Sequence, residues 1–338
     1  MNNRIWAILK FVKDKLVWVL PAAMGLGLVL GSSMDMRFLK GGILPLTILM
    51  VLPMMVNLRW RSLFGRDGGR VFLVTSVLNF TVVPTFAFFI GRHFFPDDPA
   101  AVTGMVLIGV LPTSGMTLSW TGFSGGNVKA ALRNVLIFLP VGALLLPLYL
   151  RTFLGEAARI PVGRLLEQIG LVILLPMVVG GFVGGFLRRR MGTAAYDGQV
   201  KPKMPLVSSA AVVLMVFSAM ALKARSIMAS PEILLISLAA LAAFYLLLFA
   251  AGHVLGRVFL GREDALAMVF SSAVRNLSVA LALSFLLLGE KSGSASLLAS
   301  LAFPLQVQMA AWYAKLAGVT PTKDDCSDCP EEAFAASA

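Results

Sequence analysis

Residues 110–127 read VLPTSGMTLSWTGFSGGN, and residues 270–280 read FSSAVRNLSVA. Both stretches interrupt long apolar runs with groups that can bind but cannot easily react. Pro112 removes an amide donor and clashes with the turn before it. Gly115 lets the chain leave helical geometry at low cost. Thr113, Ser114 and Thr117 add hydroxyls; the second stretch adds Ser272, Arg275, Asn276 and Ser278. Hydroxyls, one amide and one guanidinium make a hydrogen-bonding surface with a fixed positive charge, which suits a small anion. Asp and Glu are absent from the middle of the apolar segments. Arg275 therefore has two roles open to it: to receive an anionic substrate, or to cap carbonyls freed by the break at Pro112. Asn79, Ser271, Gln306 and Gln308 are neutral polar residues expected to bond between helices.

The surroundings of these stretches are those of a membrane protein. The chain has 338 residues, 58% hydrophobic and 14% charged, with a mean hydropathy of +0.86. Soluble domains carry about 25% charged residues. Ten segments reach toward the ~20 apolar residues a span needs: 16–31, 38–58, 71–91, 99–121, 131–151, 163–187, 205–223, 231–258, 264–288 and 293–316. The order along the chain is a cytoplasmic segment at 1–15, six spans over 16–187, a basic cytoplasmic loop at 188–204, four spans over 205–318 and a cytoplasmic tail at 319–338. The basic start and the apolar run after it lack a small-residue cleavage site and read as a first span, not a removed leader. With the N-terminus inside, 19 Lys and Arg fall on the cytoplasmic side and 9 on the other. That asymmetry places both termini in the cytoplasm of a cell (inner or plasma) membrane. It also accounts for the net charge of +12 without nucleic acid.

Ten spans divide into five and five, and an odd number per half inverts the second half. Inverted repeats mark secondary transporters, whose sites lie at the midplane where each half contributes a broken helix. The expected fold is therefore all-α, ten transmembrane helices in two inverted five-helix repeats, with the fourth and ninth broken at the midplane. Setting Met105 against Met268 puts Pro112-Thr113 opposite Arg275-Asn276. Non-helical backbone at membrane depth is tolerated where protein buries it or where it lines a cavity. The candidate substrate-binding residues are Pro112, Thr113, Ser114, Gly115, Thr117, Ser272, Arg275, Asn276 and Ser278.

At these breaks the chain resembles the superfamily of bile acid:sodium symporters and arsenical-resistance arsenite exporters. The exporter branch carries Cys-x-x-Met-x-x-x-Trp in its fourth span, then a turn ending in Gly-Asp. Here Thr113 to Trp120, with Met116 in place, and Gly126-Asn127 stand in that frame. Thr113 replaces the thiol, and Ser278 replaces the carboxylate of that branch's ninth span. Against the symporter branch's Glu-x-Gly-x-Gln-Asn, Ser271, Ala273 and Arg275 replace Glu, Gly and Gln, and Asn276 is kept. The resemblance implies a scaffold of spans one, two, six and seven and a moving core holding the two crossed helices.

These readings converge on a secondary transporter, in first place an arsenical-resistance-type exporter of an arsenical or other small oxyanion working by alternating access. The alternative is a sodium-coupled symporter of organic, bile-acid-like anions. No paired aspartates, Ser–His pair or metal set stands at membrane depth, so an enzyme is not expected, nor any cofactor beyond a coupling ion, Na+ or H+. The expected partners are the anionic substrate and membrane lipid; an oligomer is compatible with the sequence. Cys326 and Cys329 form a CxxC in the tail, half of a typical zinc site and a candidate for soft-ion capture. The orientation is checked by reporters fused after Ala338: a fluorescent protein that needs the cytoplasm to fold is expected to light up, and an alkaline phosphatase that needs the periplasm to stay inactive.

Overall fold

In lipid, backbone amides find partners only within helices or closed barrels, and the described residues of the ten apolar segments are helical apart from breaks at residues 111–114 and 274–276. The computed structural model describes residues 2–56, 69–155, 162–229 and 232–317, and no strand occurs among them. The chain begins with α1 (Asn2–Asp14), α2 (Leu16–Ser33) and α3 (Ile43–Val56). Next, α4 (Gly69–Val77) runs through a π turn at Leu78–Val82 into α5 (Val83–Phe94). The fourth segment is split into α6 (Pro99–Val110) and α7 (Gly115–Phe123), and α8 (Val128–Leu154) follows. Then come α9 (Val162–Ile169), α10 (Leu175–Met191), α11 (Thr193–Gln199), α12 (Lys203–Ala229) and α13 (Glu232–Phe259). The ninth segment is split into α14 (Arg262–Ala273) and α15 (Leu277–Leu288), and α16 (Gly293–Leu316) is last. Seven of the described helices are long and apolar enough to cross a membrane, or eight if the bent pair α1 and α2 is one span. The count falls short of ten where a segment is short, as in α3, or divided, as in α6 and α7.

The chain forms two compact units, each assembled from two stretches of sequence: residues 1–60 with 167–231, and residues 61–166 with 232–338. The first holds the helices of the first, second, sixth and seventh apolar segments. In it α12 packs on α2 and α3, and α10 packs on α3. Small residues let these backbones approach, the usual device where lipid removes the hydrophobic drive between helices. A Cβ at Gly31 of α2 would stand 2.1 Å from the carbonyl oxygen of Ala221, and one at Gly184 of α10 would stand 2.2 Å from that of Val56. Residues 188–204, expected as a loop, are mostly helical. The chain turns at Gly192 (φ +83°), and α11 buries Tyr196. The Tyr196 hydroxyl donates to the carbonyl oxygen of Val56 at 3.0 Å, and the Arg188 guanidinium lies 4.7 Å over its ring. That aromatic anchor folds a strongly basic stretch back onto the unit.

The second unit contains both broken helices. Helix α6 packs among α5, α8, α15 and α16, while α14 packs among α4, α7, α8, α13 and α16. Helix α6 is apolar nearly throughout, as buried helices are, and α14, charged only in its first turn, is buried from Leu266 to Ala273. With Met105 set against Met268, α6 and α14 begin and end at corresponding positions, so the two interruptions share one register. Each first half-helix contacts the second half of the other: α6 meets α15, and α14 meets α7.

Two neighbouring glycines of α10 test the packing of the first unit. Gly184 has no room for a Cβ, whereas Gly185 has nothing within 4 Å of one. Gly184→Ala is expected to lower stability by about 1–3 kcal/mol through overpacking, and Gly185→Ala to be neutral. Thermal unfolding in detergent checks both; equal melting temperatures would contradict the close approach.

Candidate functional site

The interruption of α6 begins with a missing donor. In a continuous helix the amide of residue 112 would bond the carbonyl of Ile108, and that of Thr113 would bond Gly109. Pro112 has no amide hydrogen, and Thr113 turns away at φ +58°. The carbonyls of Ile108 and Gly109 are left in an apolar, fully buried setting. Both are met by the Arg275 side chain: Nε donates to Ile108 O at 3.1 Å, and Nη2 donates to Gly109 O. Leu111 O accepts the backbone amide of Asn276 at 3.0 Å.

The interruption of α14 is resolved by the same residues. The Arg275 amide leaves helical pairing and donates to Gln306 Oε1 at 2.7 Å. Gln306 Nε2 returns a bond to Arg275 O at 3.4 Å, and the Tyr245 hydroxyl donates to Gln306 Oε1 at 3.1 Å. The Asn276 amide has gone to Leu111, so the Ser272 carbonyl takes Arg275 Nη1 at 3.0 Å. Nη1 also donates to Asn79 Oδ1. Asn79 Nδ2 in turn donates to Ser272 Oγ at 3.1 Å and lies 3.4 Å from Ser271 O. Asn79 belongs to the π turn of the third segment. Such single-turn bulges re-aim side chains and are frequent at functional sites.

Arg275 is completely buried. Four of the five N–H groups of a guanidinium reach oxygen: three carbonyls and one amide. No carboxylate is among these partners, so the charge is solvated by dipoles and neutralised by none. Of the two roles open to it from the sequence, the capping role is built into the structure.

The other candidate residues surround this joint. Ser114 caps α7: its Oγ accepts from the Met116 amide at 3.2 Å, and its own amide donates to Thr117 Oγ1 at 3.1 Å. Asn276 caps α15 through Oδ1, which accepts from the Val279 amide at 3.2 Å. Ser278 lies in the first turn of α15 and is nearly buried. Pro112 is accommodated by Gly142 of α8, where a Cβ would come within 2.7 Å of its Cδ. Gly115 is the first residue of α7. Thr113 stands apart. It is fully buried, and its Oγ1 has no hydrogen-bond partner in the protein. A β-branched residue at positive φ is a conformational outlier, of the kind that concentrates at ligand sites. Trp120, in the same frame, stacks on Phe270 of α14 at 6.3 Å, and Asn127 Nδ2 donates to Asp264 Oδ1 at 2.8 Å. Cys326 and Cys329 lie outside the described residues.

Asn79 and Gln306 were legible in the sequence only as polar residues of apolar segments, and Tyr245 gave no signal. Their importance comes from standing where Arg275 and its backbone need partners.

The described helices and the two interrupted segments define a multi-pass, all-helical membrane protein. A family model described as the Sodium Bile acid symporter family matches residues 44–230, and the chain belongs to that family. The matched stretch takes in the Pro112 break and ends before the Arg275 break. Among similar proteins, the uncharacterised protein YbaS of Bacillus subtilis (strain 168) is 27% identical over 58% of this chain and 63% of its own length. The probable sodium/metabolite cotransporter BASS4, chloroplastic, of Oryza sativa subsp. indica is 29% identical over 63% of this chain and 52% of its own. The arsenical-resistance protein Acr3 of Alkaliphilus metalliredigens (strain QYMF) is 23% identical over 56% of this chain and 57% of its own. The chain thus spans between about half and two thirds of the length of these curated relatives.

Arg275→Leu removes the side-chain donors to the carbonyls of Ile108, Gly109 and Ser272 and to Asn79 Oδ1. Each of four unpaired acceptors costs about 1–3 kcal/mol, which together exceed the ~2.5–3.5 kcal/mol relieved by removing an intramembrane charge. A clear fall in melting temperature of the detergent-solubilised protein is expected, with a smaller fall for Asn79→Leu. An Arg275→Leu protein as stable as the parent would mean that the cap is not needed.

Proposed function

We propose that this protein is a secondary transporter of the arsenical-resistance type, exporting an arsenical or another small oxyanion across the cell membrane by alternating access. It would do so as two inverted repeats with both termini in the cytoplasm. The observation that carries this reading is the fixed positive charge of Arg275 at the joint of two broken helices, with no carboxylate among its partners. The N-termini of α7 and α15 begin at the same joint, and helix N-termini favour anions through free amides and the positive end of the dipole. Because protein oxygens hold most of its N–H groups, Arg275 acts on the anion through its charge more than by gripping it. Direct hydrogen bonds fall to Thr113, whose buried hydroxyl is unpartnered, with Ser114, Thr117, Ser272, Asn276 and Ser278 around it.

The names of the relatives divide between the two substrate classes. One refers to arsenical resistance and another to sodium and a metabolite. Occupation of the carbonyls at the joint by Arg275 favours the first class over a sodium-coupled symporter of organic anions.

Expression in an arsenic-sensitive host lacking its own exporter is expected to raise tolerance to at least one arsenical or related oxyanion. Thr113→Cys, which places a thiol at the break, is expected to raise tolerance to As(III) further. Unchanged growth across the panel, from protein shown to be in the membrane, would turn the assignment toward organic anions.

A further inference from the structure

We infer that the guanidinium of Arg275 is a tethered cation standing in the place of a coupling ion, so that this transporter binds no Na+ at the joint of its broken helices. The inference rests on the transporter reading above and concerns its energetics. In transporters with discontinuous helices, the coupling cation is coordinated by unwound carbonyls and by the C-terminal ends of half-helices. This structure offers such a set: Ile108 O and Gly109 O from the end of α6, Ser272 O from the end of α14, and Asn79 Oδ1 beside them. All four face one guanidinium, with Nε and Nη1 each about 3 Å from a carbonyl and the remaining bonds to Asn79 and Gly109.

The electrostatics agree. The negative ends of α6 and α14, roughly half an elementary charge each, are offset by the positive ends of α7 and α15, so the guanidinium leaves the joint net positive. A second monovalent cation would be repelled by a fixed charge in a buried site, where screening is weak. The fold also invests in this cation. Gln306 holds the amide and the carbonyl of Arg275 from α16, and Asn79 is presented by a π turn. A diffusible ion would enter and leave with each cycle and carry a gradient's energy; a covalently attached one cannot. Loading of the site with cation is thus permanent, and a transmembrane Na+ gradient does no work at this joint.

The test uses the full-length protein in detergent or nanodiscs and needs no substrate. With choline chloride holding ionic strength constant, the parent protein is expected to show no saturable binding of radiolabelled Na+ and the same melting temperature in NaCl as in choline chloride. Arg275→Gln vacates the carbonyls and is expected to gain a Na+-dependent rise in melting temperature of at least about 3 °C at saturating NaCl. Arg275→Lys keeps a tethered charge and is expected to remain insensitive to Na+. Saturable Na+ binding by the parent, competed by unlabelled NaCl, would overturn the inference. So would an Arg275→Gln protein that melts alike in both salts, or an Arg275→Lys protein stabilised by Na+. If Arg275→Gln does not yield folded protein, the parent's Na+ binding and the Lys variant decide the matter. A parent that ignores Na+ but confers no tolerance to any oxyanion would remove the proposed substrate class and leave the tethered cation standing.

Discussion

A helix broken inside apolar protein leaves carbonyl oxygens that neither water nor lipid can satisfy, and buried backbone groups are almost always paired. Here two helices are broken within one unit, and a single side chain serves both. Pro112 frees the carbonyls of Ile108 and Gly109, and the departure of the Asn276 amide to Leu111 frees that of Ser272. The planar fork of Arg275 reaches all three. Lysine, a point charge on a flexible stem, could not span them in the same way. The rest of the joint follows from this arrangement. Gln306 takes over the backbone pairing that Arg275 gives up, Tyr245 holds Gln306, and Asn79 supplies the remaining acceptor.

The joint is satisfied in hydrogen bonds and unsatisfied in charge. Neutral dipoles surround a full positive charge, and two helix N-termini begin beside it. Such a site is electrically biased toward anions before any particular anion is specified. Thr113 adds a buried hydroxyl that the protein leaves without a partner, in a backbone conformation that a β-branched residue rarely adopts. Strain and an orphaned hydroxyl at the same residue are the marks of a position shaped by something other than stability.

Small residues make this geometry attainable. Gly109 lies against Ala87, Gly104 against Ala295, and Gly142 against Val110 and Pro112, each with less than 3 Å to spare for a Cβ. Larger side chains would hold the neighbouring helices away from the breaks and leave the freed carbonyls beyond the reach of Arg275. In the first unit the same device serves plain helix packing, as Gly31 and Gly184 show. Glycine thus answers two needs, van der Waals contact in one unit and access to polar backbone in the other.

The amino-acid sequence by itself determined the class of structure, because continuous apolar runs of about 20 residues in lipid form helices and not barrel strands, and it located both breaks, because Pro112 cannot donate and Arg275 cannot be ignored in an apolar run. It also gave the register between the breaks, since Met105 and Met268 mark helices that begin and end alike. It did not distinguish a substrate-facing Arg275 from a capping one. That depended on which carbonyls lie within reach, and Ile108 and Gly109 are more than 160 residues away along the chain. Asn79, Gln306 and Tyr245 were hidden for the same reason: a neutral polar residue in an apolar helix has no periodicity or spacing that names its partner. Residues 188–204 looked like a loop because their charge is local, whereas the contact that makes them helical, Tyr196 on Val56, is not. Local composition sets what each segment must be; only the folded packing decides which donor meets which freed acceptor.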